Sequence, residues 1–158
     1  MTIKTMFNPI TPEGYDILKK KLRHLIEHER PSNIREIMET RALGDLSENA
    51  EYHAAKSQQR DIERQIVEIK NTLDSHIIVD CKDYNSSGVA TFGCTVHLYD
   101  YNEQKTLVLR LLNEVEVTLF TGAVSVSSPL GQRIVGKAVN EKFSVNGHEF
   151  LLQEVHYV

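Results

Sequence analysis

Two carboxylates three residues apart, Asp45 and Glu48, stand in the stretch "TRALGDLSENAEYHAAK" (Thr40–Lys56), with Gly44, Ser47 and Asn49 around them. Acids at that spacing can do two things. Directly before a helix, an Asp followed three residues later by a Glu is a variant of the capping box and is favourable to the helix dipole; Ser47 offers a second capping group. Turned to solvent, the same pair with Asn49 is a weak Mg²⁺ site, because magnesium keeps several waters and takes substrate phosphates beside one or two carboxylates. Such a pair alone holds no metal stably and cuts nothing. Placed beside a metal bound elsewhere, it supplies ligands for a second ion and orients a water, the two-ion arrangement of in-line phosphodiester cleavage. Spacing alone leaves both roles open. They are also compatible, since a capped backbone is a fixed one.

The elements that would position this pair are helices. Leu18, Leu22 and Leu25 step by four and three, and Ile34 and Ile37 resume that rhythm after Pro31. The second segment is more regular: Tyr52, Ala55, Gln59, Ile62, Ile66, Ile69 and Leu73 alternate steps of three and four, a heptad seam of the coiled-coil type. Arg60, Asp61, Glu63, Arg64 and Glu68 lie between the seam positions and suit a solvated surface. Thr11 and Pro12 fit an N-cap followed by proline at the first helical position. Helices are thus expected over Pro12–Leu43 and Glu48–Asp74, antiparallel because the connection is short, with a kink at Pro31, which lacks a donor and crowds the Glu27 carbonyl. Gly44 supplies a permissive backbone for the bend. The acids then sit at the tip of a finger.

From Ser75 the period changes. "HIIVD", "VATFGCTVHLYDY", "KTLVLRLL" and "VEVTLF" read as strands, and "SSPLGQRIVG" as one short helix with Ser128 as N-cap and Pro129 at its start. Asn146-Gly147 marks a hairpin near the end. The expected organisation is α+β: residues 1–75 form an antiparallel helical coiled-coil hairpin and residues 76–158 a small, mainly antiparallel sheet domain with one short helix.

Composition excludes several functions. The net charge is −4 over 158 residues, and neither half carries a basic excess, so contact with DNA is expected to be weak or indirect. Cys81 and Cys94 have no metal-site spacing and read as free thiols. No run suits a signal peptide or a membrane span, which points to a cytoplasmic protein. His24 and His28, four apart, have the spacing of a transition-metal pair but lack a third ligand and read as surface residues. His53 beside Tyr52 reads as packing or exposed. His76, His97, His148 and His156 are scattered among strands and form no constellation.

The segments "EGYDILKKKLRHLIEHERP", "GDLSENAEYHAAK" and "SVSSPLGQRIVGK" strongly resemble the Gre family of bacterial transcript cleavage factors, over nearly the whole chain. Sparse basic residues near the tip place it nearer the GreA-type than the GreB-type members. The resemblance implies an FKBP-like second domain that docks on RNA polymerase and a finger that enters the secondary channel. It implies no independent enzyme: Asp45 and Glu48 match the family's tip acids, which share Mg²⁺ with the polymerase and help it cut backtracked RNA. Arg41 and Lys56 match the basic residues that contact the nascent RNA 3′ end, although both also suit ordinary solvated helix positions. Ser128 and Pro129 match a docking segment, or simply start a helix. The chain departs from the family pattern at "LLNEVEVTLFTG" (Leu111–Gly122). A channel-binding inhibitor without cleavage stimulation, and a coiled-coil adaptor whose tip acids are only caps, are the competing expectations.

Overall fold

The computed structural model describes residues 8–45, 49–83 and 88–157. They fall into two compact units, Tyr15–His76 and a sheet unit that joins Ile77 onward with the N-terminal segment up to Gly14.

The helical unit is a hairpin. Its first arm runs through α1 (Pro12–His24), a turn of π-helix at Leu25–Glu29, and α2 (Arg30–Arg41); its second is α3 (Ala50–Ser75). Thr11 caps α1 as expected, its Oγ1 accepting from the Gly14 amide at 3.1 Å. The irregularity expected at Pro31 is the π-helical turn just before it. Pro31 has no N–H to give to the Glu27 carbonyl, and the Arg30 amide instead reaches back five residues to the Leu25 carbonyl.

That turn adds one residue and shifts the seam. A strict step of four and three from Leu25 through Glu29 leads to Ser32, Glu36 and Glu39. With the added residue the inward positions become Asn33, Ile37 and Thr40, of which Asn33 and Thr40 are buried and Ile37 half-buried. Ile34, expected on the seam, is therefore exposed. On α3 the expected seam is the observed one: Ala55, Ile62, Ile66 and Ile69 are buried and Tyr52, Gln59 and Leu73 half-buried. Arg30 forks onto Glu63 with two hydrogen bonds of 2.7 and 2.8 Å, which together with Asn33 bonding to Ala55 fixes the antiparallel pairing.

In the sheet unit, β1 (Pro9–Ile10) pairs in parallel with β2 (Ile77–Ile78). The main sheet holds β3 (Thr95–Asp100), β4 (Lys105–Leu112), β5 (Ala123–Ser125), β6 (Lys142–Val145) and β7 (His148–His156) in the order β5-β4-β3-β7-β6. It is antiparallel except for the β4–β5 pair. Asn146 and Gly147 both take positive φ, +51° and +83°, in the expected β6–β7 hairpin. One face buries Val96, Leu98, Phe150, Leu152 and Val155 together with Ile134. Burial pushes the Cys94 thiol up to about 11 and raises that of Cys81; both are free.

Two sequence expectations fail here, and they share a cause. "VEVTLF" is not a strand. Asn113 caps a short helix, α4 (Glu114–Val117), accepting from the Glu116 amide at 2.9 Å, so among the described residues this unit holds a second short α-helix beside α5 (Pro129–Ile134). The cap is possible because Glu116 is wholly buried and its Oε1 accepts from both the amide and the hydroxyl of Thr11, while Asn113 Nδ2 donates to the Pro9 carbonyl. A tertiary partner for the acid outweighed the β-propensity of the valines. Gly14 is part of the arrangement: any side chain there would collide with the Glu116 carboxylate.

Candidate functional site

The hairpin bend gathers most of the residues singled out by sequence. Arg41 ends α2 and is exposed, and Ala42 closes it, its amide donating to the Met38 carbonyl at 3.2 Å. Gly44 follows at φ +125°, a conformation that residues with a side chain rarely adopt. Asp45 is exposed. Ser47 and Glu48 lie outside the described residues.

The N-cap of α3 is Asn49, not Asp45. Its Oδ1 accepts from the Tyr52 amide at 3.1 Å, which is the N-cap bond. Its Nδ2 reaches across the bend and donates to the Thr40 carbonyl at 2.7 Å, in the last turn of α2. One side chain thus ends one helix and starts the next. Thr40 is itself buried, its Oγ1 donating to the Glu36 and Ile37 carbonyls. The cap reading of Asp45 is therefore corrected, because an amide can accept from one helix and donate to the other, and a carboxylate can only accept.

Lys56 lies in the second turn of α3, half-buried, with Nζ 2.9 Å from Gln59 Oε1. His53 is exposed, edge-on to Tyr52 with ring centroids 5.6 Å apart. Among the described residues the tip offers the exposed carboxylate of Asp45 in the bend itself and that of Glu51 in the first turn of α3, with Arg41 and Lys56 on the flanking helices.

In the sheet unit, Ser128 is half-buried and caps α5: its Oγ accepts from the Gly131 amide at 3.0 Å and donates to the Ser125 carbonyl at 2.6 Å. Pro129 is exposed. Beside them Val126, Ser127, Gln132 and Val135 line an open groove of about 700 Å³.

Residues 8–78 match the family model for the N-terminal domain of transcription elongation factors, and residues 85–152 the one for the GreA/GreB C-terminal domain. The chain belongs to the GreA/GreB family of transcription elongation factors. Transcription elongation factor GreA of Thermodesulfovibrio yellowstonii is 41% identical over 137 residues, 87% of this chain and 86% of that protein. The factor of the same name from a Methylobacterium species is 36% identical over 154 residues, 95% of this chain and 97% of that one.

One cluster in this GreA/GreB-family chain was missed by sequence reasoning. His97 and His156, taken as scattered, come together with Glu154 on the outer face of the sheet. The signal available was "EVH", whose acid and histidine share a face of a strand; the register that brings His97 opposite them is tertiary information. Among the described residues, no helix is long and apolar enough to cross a membrane.

Proposed function

We propose that this GreA/GreB-family chain is a transcript cleavage factor, acting through RNA polymerase rather than as an enzyme in its own right. In this reading the sheet unit docks on the polymerase, with Ser128, Pro129 and the adjacent groove as the docking segment. The hairpin tip enters the secondary channel and brings Asp45 and Glu48 to the active centre of a backtracked complex.

The observation that supports it most is the tip backbone. Asp45 is exposed, yet it stands between a glycine-specific turn and a cap that ties α2 to α3. A carboxylate that must meet a reacting centre in another protein gains from such preorganisation. Ile34, Met38 and Leu43, exposed in the same half of the hairpin, suit burial against a partner.

One or two carboxylates are too few donors to hold Mg²⁺ by themselves, and suit an ion that is shared with the polymerase. When bound, such an ion supplies charge neutralisation at the scissile phosphate. Asp45 and Glu48 would hold such an ion through carboxylate oxygens, and a carboxylate oxygen could accept a hydrogen bond from the attacking water. Arg41 and Lys56 contact the RNA 3′ end, Lys56 exchanging Gln59 for a phosphate. With a net charge of −4, any DNA contact is weak or indirect.

The test uses a stalled, backtracked elongation complex with 5′-labelled RNA and Mg²⁺. Intact protein is expected to speed shortening of the RNA, and Asp45→Asn/Glu48→Gln to lose that effect while still binding polymerase. Intact protein that binds without speeding cleavage would replace this reading with that of a channel-blocking regulator.

A further inference from the structure

The strands β3 and β7 pair regularly from Asp100 opposite Phe150 to Leu98 opposite Leu152, and then the register shifts: His97 lies opposite Glu154 and Thr95 opposite His156. Gln153 is the extra residue of a β-bulge. Its effect on side-chain direction is large. In a regular continuation Glu154 would stand opposite Val96, on the buried face. With the bulge Val155 takes the buried side, and Glu154 and His156 point outward with His97. One residue in one strand therefore places two imidazoles and a carboxylate on one patch of the outer face.

The patch is compact. A ligand atom from each of the three residues lies within 4.8 Å of the others. His156 Nε2 is 2.7 Å from Glu154 Oε2, and the His97 and His156 rings meet edge-on with centroids 5.4 Å apart. His97 is half-buried and the other two are exposed, so an ion from solvent can reach the cluster without opening the fold.

We propose that His97, Glu154 and His156 form a binding site for a late first-row divalent cation of the Zn²⁺ type. The donor set decides the class: two neutral imidazoles and one carboxylate suit zinc, nickel or copper, whereas Mg²⁺ takes oxygen ligands. Donors around a tetrahedral zinc stand about 3.3 Å apart, so closing on the ion needs movements of roughly 1.5 Å or less, within the range of torsions in exposed side chains. Three protein ligands leave the fourth position to solvent. Because the ligands come from two neighbouring strands, the ion would clip the C-terminal end of β7 to β3. The site shares no residue with the tip, and its test needs no polymerase.

The experiment titrates untagged, chelator-stripped full-length protein with Zn²⁺ against a chromophoric chelator, and follows the thermal midpoint alongside. One equivalent should bind, and the midpoint should rise with added Zn²⁺ through preferential binding to the folded state. His97→Ala, His156→Ala and Glu154→Gln should each weaken binding roughly tenfold or more, and each should abolish or reduce the zinc-dependent rise. Their metal-free midpoints should match that of the intact chain. His24→Ala/His28→Ala tests the other close imidazole pair, whose ring centroids are 5.3 Å apart, and should bind as the intact chain does. Absence of stoichiometric binding, binding lost with the His24/His28 pair, or binding indifferent to all three ligand substitutions would each overturn the assignment.

Discussion

The two halves of the helical hairpin solve the same packing problem with different chemistry. Away from the bend, the seam is Leu18, Leu25, Ile62, Ile66 and Ile69, all buried. Toward the bend the buried positions are Asn33, Thr40 and Ala55, while Ile34, Met38 and Leu43 face solvent, Leu43 at 71% exposure. Apolar burial is non-directional and supplies most of the stability of a helix pair. Hydrogen bonds such as Asn33 to Ala55 and Asn49 to Thr40 contribute less free energy, but they fix one geometry. The hairpin thus separates holding together from holding still, and the part that holds still carries Asp45.

The largest test of that division is functional. Asp45→Asn should reduce stimulation of RNA cleavage by roughly a hundredfold in the backtracked-complex assay, a loss of the size expected for a carboxylate acting at the reacting centre. Its unfolding free energy should change by about 0.5 kcal/mol or less, the usual size for an exposed position. A comparable loss of stability would mean that the tip acids are structural, and the division would fall.

In the apolar half the effect should be energetic. Ile66→Ala removes a side chain only 2% exposed and should cost about 2–4 kcal/mol in denaturant unfolding of the full chain. Asn49→Ala should cost about 1–2 kcal/mol, felt locally: amide exchange at Tyr52 and His53 should accelerate, and cleavage stimulation should fall with no residue of the proposed chemistry altered. If exchange quickens uniformly along the hairpin instead, the tip is not an independently fixed unit.

The smallest effect concerns the junction of the two halves. Arg30, bonded to Glu63, holds that carboxyl below its usual range. A carboxylate whose pKa is lowered in the folded state contributes stability above its unfolded pKa and loses it as pH falls through the folded value. Both side chains are substantially solvated, so Glu63→Gln should cost about 0.5 kcal/mol or less at neutral pH. The difference from the intact chain should vanish as pH drops through the acid range, in parallel urea titrations at several pH values.

Much of this was legible in the chain. Ile62, Ile66 and Ile69 announce their seam by a period that no interruption disturbs. Asn146-Gly147 and Ser128-Pro129 announce a turn and a helix start by local backbone chemistry. Ile34 was misplaced because a single π-helical turn, sited by Pro31, advanced the phase of everything after it. Glu116 and its helix were misread because valines favour strands until a distant threonine offers a buried acid two donors.

The sequence by itself determined the helical hairpin, the α+β division, the β6–β7 turn and the α5 start, because these rest on short-range periods, caps and turns, and its motifs carried the family. The tertiary structure decided that Asn49 closes the bend, which residues turn inward beyond Pro31, and that His97 meets Glu154 and His156. Those outcomes depend on the phase added by one helical turn and the register added by one bulged residue, and phase and register are set only when two segments pack against each other.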